Sequence, residues 1–157
     1  MSLAIQLESI DNKAHPDDVS TIDGILRALY DVISGPAGMQ RQWDRDRSLY
    51  VPGAVQASSR KDPQGKRFTL AMDVDGFIEF AEPRLMRGFY EYEVDHVAWK
   101  VGNITHVFST YETKETLDGP VIGRGVNSVT LIYAANRYWI VSIAWDSASE
   151  DPQPVKI

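Results

Sequence analysis

Apolar side chains alternate with small or polar ones through the stretch 123–146, and the rest of the chain is arranged to cover it. Val129, Leu131 and Tyr133 fall on one face of a strand predicted over 126–134. Trp139, Val141, Ile143 and Trp145 fall on one face of a second over 137–145, with Ala135-Asn136 as the tight turn between them. Period two is the signature of half-buried strands. The opposite face, with Thr130, Ile132, Ile140, Ser142 and Ala144, is small or apolar as well. Helices can cover only one side, so the other is expected to pair with a second copy in a homodimer.

Upstream the period changes. Val19, Ile22, Leu26, Leu29 and Ile33 recur at steps of three and four behind Asp17 and Asp18, which predicts one amphipathic helix ended by Gly35-Pro36 and Gly38. A shorter helix is predicted over about 40–49, with strands over 54–58 and 67–72 joined as a hairpin by the polar turn 60–65. Asp73 caps a third helix carrying Phe77, Ile78, Phe80, Ala81 and Leu85, with a kink expected at Pro83 and an end at Gly88. Long strands over 89–100 and 103–113 flank Val101-Gly102, and a mobile loop is expected over 115–120. Helices gathered on one side of consecutive antiparallel strands make an α+β fold. At 157 residues one domain is expected, ordered over about 17–146, with 1–16 and 147–157 as peripheral tails.

Charge and composition exclude several functions. A net charge of −6 without a basic run opposes a nucleic-acid partner. No cysteine is present, so thiolate metal sites and thiol nucleophiles are excluded, and His15, His96 and His106 are too far apart for a helical zinc motif. No glycine-rich phosphate loop appears either, so no cofactor and no metal are expected. The lack of a long apolar run predicts no membrane span and a cytoplasmic location, although Met1-Ser2-Leu3 is compatible with a trimmed export signal.

The order of elements, the Gly-Pro-Ala-Gly break at 35–38, the Trp43-Asp44-Arg45 helix running into Leu49-Tyr50-Val51-Pro52-Gly53-Ala54, and the strand Val107-Phe108-Ser109-Thr110-Tyr111 resemble the nuclear transport factor 2-like superfamily. Gly88-Phe89-Tyr90-Glu91, Arg124-Gly125-Val126-Asn127-Ser128 and Trp139-Ile140-Val141 are similar to a bacterial branch near the SnoaL-like proteins. The resemblance implies a cone: a strongly curved antiparallel sheet wrapped around a long N-terminal helix, two shorter helices, and a pocket at one end. It does not imply a reaction, since that cone serves isomerases, cyclases, dehydratases and adaptors alike. The carboxylate base of the ketosteroid isomerases has no counterpart here, because Ala57 and Ser58 stand near its position.

Candidate chemistry then rests on a few side chains. If Val97 and Trp99 face inward, Glu91, Glu93 and Asp95 share that face, and crowded, desolvated carboxyls have raised pKa values suited to acid–base work. The alternative turns Tyr90, Tyr92, Val94 and His96 to the core and leaves the acids in water. Thr105, Val107, Ser109 and Tyr111 share a face of the next strand, and Asn127 is a polar group on an apolar stripe. Trp43 and Arg47 share a helix face near the pocket mouth implied by the resemblance, within an Arg-Asp alternation over 41–47 that reads as a solvated surface. Glu91 and Tyr111 are therefore the catalytic candidates, and Trp43, Ser109 and Asn127 the ligand-binding ones. The ligand expected is a small, partly apolar molecule. Three functions fit: a cofactor-free isomerase, dehydratase or cyclase; a non-catalytic binding pocket; or a dimeric association module.

Overall fold

A computed structural model describes residues 4–146 and 154–157; the expectations for Met1-Ser2-Leu3 and for most of the C-terminal tail lie outside the described residues. After a 3-10 turn at Leu7–Ser9, the helices are α1 (Pro16–Val19), α2 (Ile22–Asp31), α3 (Trp43–Arg47) and α4 (Val74–Leu85). The strands are β1 (Tyr50–Lys61), β2 (Arg67–Met72), β3 (Tyr90–Val101), β4 (Ile104–Lys114), β5 (Val121–Ala134) and β6 (Arg137–Asp146). They form one curved, unclosed sheet in the order β2-β1-β6-β5-β4-β3. Among the described residues no helix is long and apolar enough to cross a membrane.

The architecture is α+β, with two corrections to the expected cone. The sheet is mixed, because β1 pairs parallel with β6 while the other pairs are antiparallel. Every element from β2 to β5 lies between β1 and β6 in the chain, which supplies the long connection a parallel pair requires. The first helix is not one long rod. Thr21 takes extended dihedrals and its hydroxyl accepts from the Gly24 amide, so α2 begins anew with its own cap. Gly24 is needed there because a Cβ would overlap the Asp17 carbonyl of α1.

The helices lie against the inner face of the sheet and make two apolar clusters. In the first, Ile25, Leu26 and Leu29 of α2 pack with Leu49, Tyr50, Val107, Val129, Leu131, Ile140 and Ile143. In the second, Trp43 of α3 packs with Ile78, Ala81 and Leu85 of α4, flanked by Ile33, Phe77 and Phe89. Ala135 and Asn136 both have positive φ, 52° and 60°, as the tight hairpin turn between β5 and β6 demands.

Two register shifts decide which side chains face in. On β6, Leu131 pairs with Ile140 and Thr130 with Ser142, so Val141 is an extra residue and the parity reverses across it. Ile140, expected on the outer face, is therefore 1% exposed in the core, while Trp139 lies opposite Ile132 rather than in line with Ile143. Trp139 is buried nonetheless: its Nε1 donates to the Ala134 carbonyl and the Arg137 guanidinium lies 3.7 Å over its ring. On β3 the shift falls between Glu93 and Asp95. Glu91 and Glu93 pair with the inward Thr113 and Tyr111, whereas beyond Val94 it is His96 that pairs with inward Ser109. Asp95, Val97 and Trp99 consequently face outward, so the expectation that all three acids share a face with Val97 and Trp99 is corrected.

Replacing Trp139 by Ala should cost about 3–5 kcal/mol, the usual range for emptying a large buried site. Urea unfolding measures it; a loss below about 1 kcal/mol, typical of surface changes, would show that the indole is not packed as described.

Candidate functional site

Between the two apolar clusters, where α4 closes over the sheet, lies a cavity of about 220 Å³. The size falls below the roughly 300–1,000 Å³ usual for drug-sized ligands, which limits an occupant to a small molecule. Leu29, Phe77, Phe89, Ile143 and Trp145 give it apolar walls, with Phe77 and Trp145 packed edge-to-face at 6.0 Å. Its polar lining is Asp46, Tyr50, Gln56, Glu91, Tyr111 and Asn127, and Arg60, Arg84 and Arg87 also line it.

The cavity thus brings Glu91, Tyr111 and Asn127 together, while Trp43 and Ser109 lie outside its wall. Trp43 is buried with Ile78, Ala81 and Leu85, and its indole N–H donates to Glu82 at 3.2 Å. Ser109, fully buried, belongs to a hydrogen-bonded chain behind the wall. Asn127 Nδ2 donates to the Tyr30 hydroxyl at 3.2 Å, which meets Ser109 Oγ at 2.6 Å. Ser109 in turn donates to Glu93, whose other oxygen is 2.8 Å from His96 Nδ1. With the Ser109 proton directed at Glu93, Tyr30 is the donor to Ser109 and so must accept from Asn127. That fixes the amide of Asn127 with its nitrogen engaged and leaves its carbonyl as the free acceptor.

Tyr111 lies across β5 at the position paired with Gly125, where any Cβ would overlap its hydroxyl and Cζ. Gly125 is therefore the reason the phenol can lie flat against the sheet and present its hydroxyl to the cavity. Burial raises the Tyr111 hydroxyl above its ordinary value, and the Glu91 carboxyl nearby adds to the rise. Glu91 itself is pushed up to about 8 by loss of hydration alone, with no side-chain donor on its carboxyl among the described residues.

Sequence reasoning missed Asp46. It sits within the Arg-Asp alternation taken as a solvated surface, yet it is 0% exposed, and Arg41 is buried too, on backbone carbonyls. The surface reading holds for Asp44, Arg45 and Arg47, which pair with acids or with one another, and is corrected for these two. Burial pushes Asp46 up to about 7, partly offset by the facing Tyr50 hydroxyl and by Arg47. The Gln56 amide nitrogen meets no hydrogen-bond partner among the described residues, and the Asp46 carboxyl has no partner beyond the loosely placed Tyr50 hydroxyl. Buried polar groups are normally satisfied, so unsatisfied ones lining a cavity mark a place for ligand or water. The one sequence signal for Asp46 was its spacing three residues after Trp43, which turns both to the same side of a short helix.

A larger trough of about 1410 Å³ follows the N-terminal segment past α3 and the start of β1. Its Arg45 pairs with Asp18 and its Arg47 with Asp44 and Asp75, so its charges neutralise one another. Ile10, Val51, Val74 and Trp139 give it apolar lining too, but none of the buried unpartnered polar groups among the described residues lines it, as the Gln56 amide lines the smaller cavity.

No family model matches the sequence, and no curated protein does either. Solved structures do match. One is a proposed dehydratase of the nuclear transport factor 2-like family from Streptomyces avermitilis, 14% identical, covering 86% of this chain and 99% of its own, with a TM-score of 0.54. Another is a nuclear transport factor 2-like protein of unknown function from Methylobacillus flagellatus, 12% identical, covering 90% and 100%, with a TM-score of 0.53. The fold is the nuclear transport factor 2-like fold. The same architecture appears in the beta subunit of a proposed aromatic-ring-hydroxylating dioxygenase from Novosphingobium aromaticivorans, at 12% identity, 81% and 86% coverage and a TM-score of 0.53. Identities this low describe the nuclear transport factor 2-like fold alone, so chemistry must be argued from the cavity.

Glu91 makes stability depend on pH. Its folded-state pKa lies above the ordinary value, so its contribution is complete below about 4.5 and is lost as pH rises toward 8, while the unfolded chain ionises first. Glu91→Gln should therefore gain in melting temperature relative to the parent between pH 5 and pH 8, by about 2–4 °C per kcal/mol relieved. Parallel curves across that range would show that the carboxyl is solvated.

Proposed function

We propose that the cavity carries out cofactor-free acid–base chemistry on a small, partly apolar molecule: an isomerisation, hydration, dehydration or ring closure. The observation that carries this reading is the position of the half-buried Glu91 carboxyl, without a side-chain donor among the described residues, with Tyr111 in one cavity wall, where loss of hydration pushes it up to about 8. A group of that pKa holds its proton at neutral pH and still yields a basic fraction, which matches the requirement for a general acid or base. In this reading Glu91 moves the proton, the Tyr111 hydroxyl donates to and polarises a substrate oxygen, and the fixed carbonyl of Asn127 accepts from a substrate hydroxyl or amine. Asp46, at about 7, is half ionised near neutrality and is the second group able to take up or release a proton.

The test begins by screening small hydrophobic acids and enones for thermal stabilisation of the intact chain. For a molecule that is turned over, Glu91→Gln should lower the rate by about 10²–10⁴-fold while the stabilising shift is retained. Binding without turnover in the parent as well as in the variant leaves a non-catalytic pocket, and rejects Glu91 as a catalytic residue.

A second reading concerns assembly and rests on a different observation. The outer side of β3 and β4 leaves Val97, Trp99, Val101 and Ile104 exposed, Trp99 at 69%, next to Ile132 on β5. A contiguous apolar area on a sheet face is covered in a homodimer through that face. Light scattering at micromolar concentration should give the mass of two chains, and Ile132→Arg should give the mass of one, because the interface would then bury an unpaired charge. A monomeric parent chain would overturn the assembly without touching the cavity.

A further inference from the structure

We propose that the cavity's ligand is an anion, a small carboxylate with an apolar body, and that Arg60, Arg84 and Arg87 hold its carboxylate. The inference rests on the small-molecule reading and adds the substrate class and the direction of binding. Elsewhere in the chain arginines meet acids or carbonyls: Arg45 meets Asp18, Arg47 meets Asp75, Arg67 meets Asp146 and Arg124 meets Glu112, while Arg41 and Arg137 donate to backbone oxygens. Among the described residues Arg60, Arg84 and Arg87 have no carboxylate partner, although the chain carries 22 acids against 16 basic residues. Acids line the same cavity, yet none of those described is within ion-pair distance of these three cations, which leaves their guanidiniums open to an external anion.

The geometry holds two of the guanidiniums in place. Arg84 lies 3.9 Å and Arg60 5.2 Å from the centre of the Phe80 ring, and Arg84 also donates to the Phe80 carbonyl. A guanidinium over an aromatic ring keeps N–H groups at its edge available for a carboxylate, and Arg84, although exposed and bonded to the Phe80 carbonyl through Nη1, retains others. Arg60, Glu91 and Tyr111 all line the cavity, so the positive site and the proposed reacting groups border one space.

The acids inside set the orientation. Asp46 and Glu91 line the same cavity, so a ligand carboxylate turned toward them would face two acidic groups, whereas at the arginine end it meets charged donors. The carboxylate therefore faces the arginines, and the apolar part passes Phe77 and Trp145 toward Glu91 and Tyr111. A volume of about 220 Å³ leaves room for one ring or a short chain beside the anion.

A matched pair of probes, benzoate and its neutral isostere benzamide, separates the elements of this proposal. Both are titrated into the intact chain at low salt, with calorimetry for affinity and Trp145 fluorescence for occupancy of the cavity. Benzoate should bind at least tenfold more tightly than benzamide, with an affinity that falls as salt rises. Arg84→Gln and Arg60→Gln should each remove most of that preference, weakening benzoate far more than benzamide, while Arg84→Lys should retain part of it. A far-ultraviolet circular dichroism spectrum and melting curve like the parent's establish that each variant is folded. Equal binding of the two probes, or a preference for benzoate that survives both glutamine substitutions, would overturn the anionic class and leave the pocket reading intact. If neither probe binds or alters the Trp145 signal, both the pocket reading and this proposal fail together.

Discussion

A strand has two faces, and one unpaired residue exchanges them. In this chain the exchange at Val94 decides on which side of the sheet the acids of β3 stand. Before it, Glu91 and Glu93 pair with inward residues of β4; after it, Asp95 turns to solvent and His96 turns in. Without the extra residue, inward Glu91 and Glu93 would bring Asp95, Val97 and Trp99 with them, and His96 could not meet Glu93. The shift lets the same strand present carboxyls to the cavity at one end and an apolar outer surface at the other.

That constraint also defines what was legible in the sequence. Element types and order could be read from periodicity, because β2 and α4 carry clean signals: a turn, a capping aspartate and a run of apolar positions. Faces could not be read beyond a bulge. On β6 the alternation of Trp139, Val141, Ile143 and Trp145 continues unbroken across the shift, so counting by two gives the wrong side beyond it; on β3 the apolar positions change from Tyr90, Tyr92 and Val94 to Val97 and Trp99, which leaves two parities open. The break of the first helix at Thr21 was concealed by the continuing three-four spacing of Val19, Ile22 and Leu26, since a capping threonine costs that pattern nothing. Of the site, Glu91, Tyr111 and Asn127 were nameable because they stand as polar or aromatic groups at inward positions of strands. Asp46, Gln56 and the arginines were not, because burial of a charged residue on a short helix depends on what α4 covers, and no local pattern records that.

The cavity and the two apolar clusters have a common origin. Helix α2 fills the centre of the inner face, and α3 and α4 cover the part near β1, where Val74 packs on the first cluster and Phe77 on Trp145 with the cavity left beside them. The remaining space is lined by whatever β1, β3, β4 and β5 turn inward there, and this chain turns in Gln56, Glu91, Tyr111 and Asn127. Leaving a buried polar group unsatisfied costs about 1–3 kcal/mol, so a sequence that keeps the Gln56 amide in that state, and Asp46 with only the Tyr50 hydroxyl beside it, departs from what stability alone would favour. The departure is what separates this cavity from a packing defect, which would be lined by apolar atoms.

The chain of hydrogen bonds behind the wall adds a last step. Tyr30, Ser109, Glu93 and His96 are engaged with one another and line no part of the cavity, yet they end on Asn127, which does. Each member fixes the donor role of the next, so the amide of Asn127 is held in one orientation before any ligand arrives. A preset acceptor, a desolvated proton donor at Glu91 and a hydroxyl at Tyr111 held flat by Gly125 form a polar surface needing little rearrangement on binding. In the acid–base reading proposed above, such preorganisation would contribute more than the strength of any one of these hydrogen bonds, because its reorganisation cost is met when the chain folds.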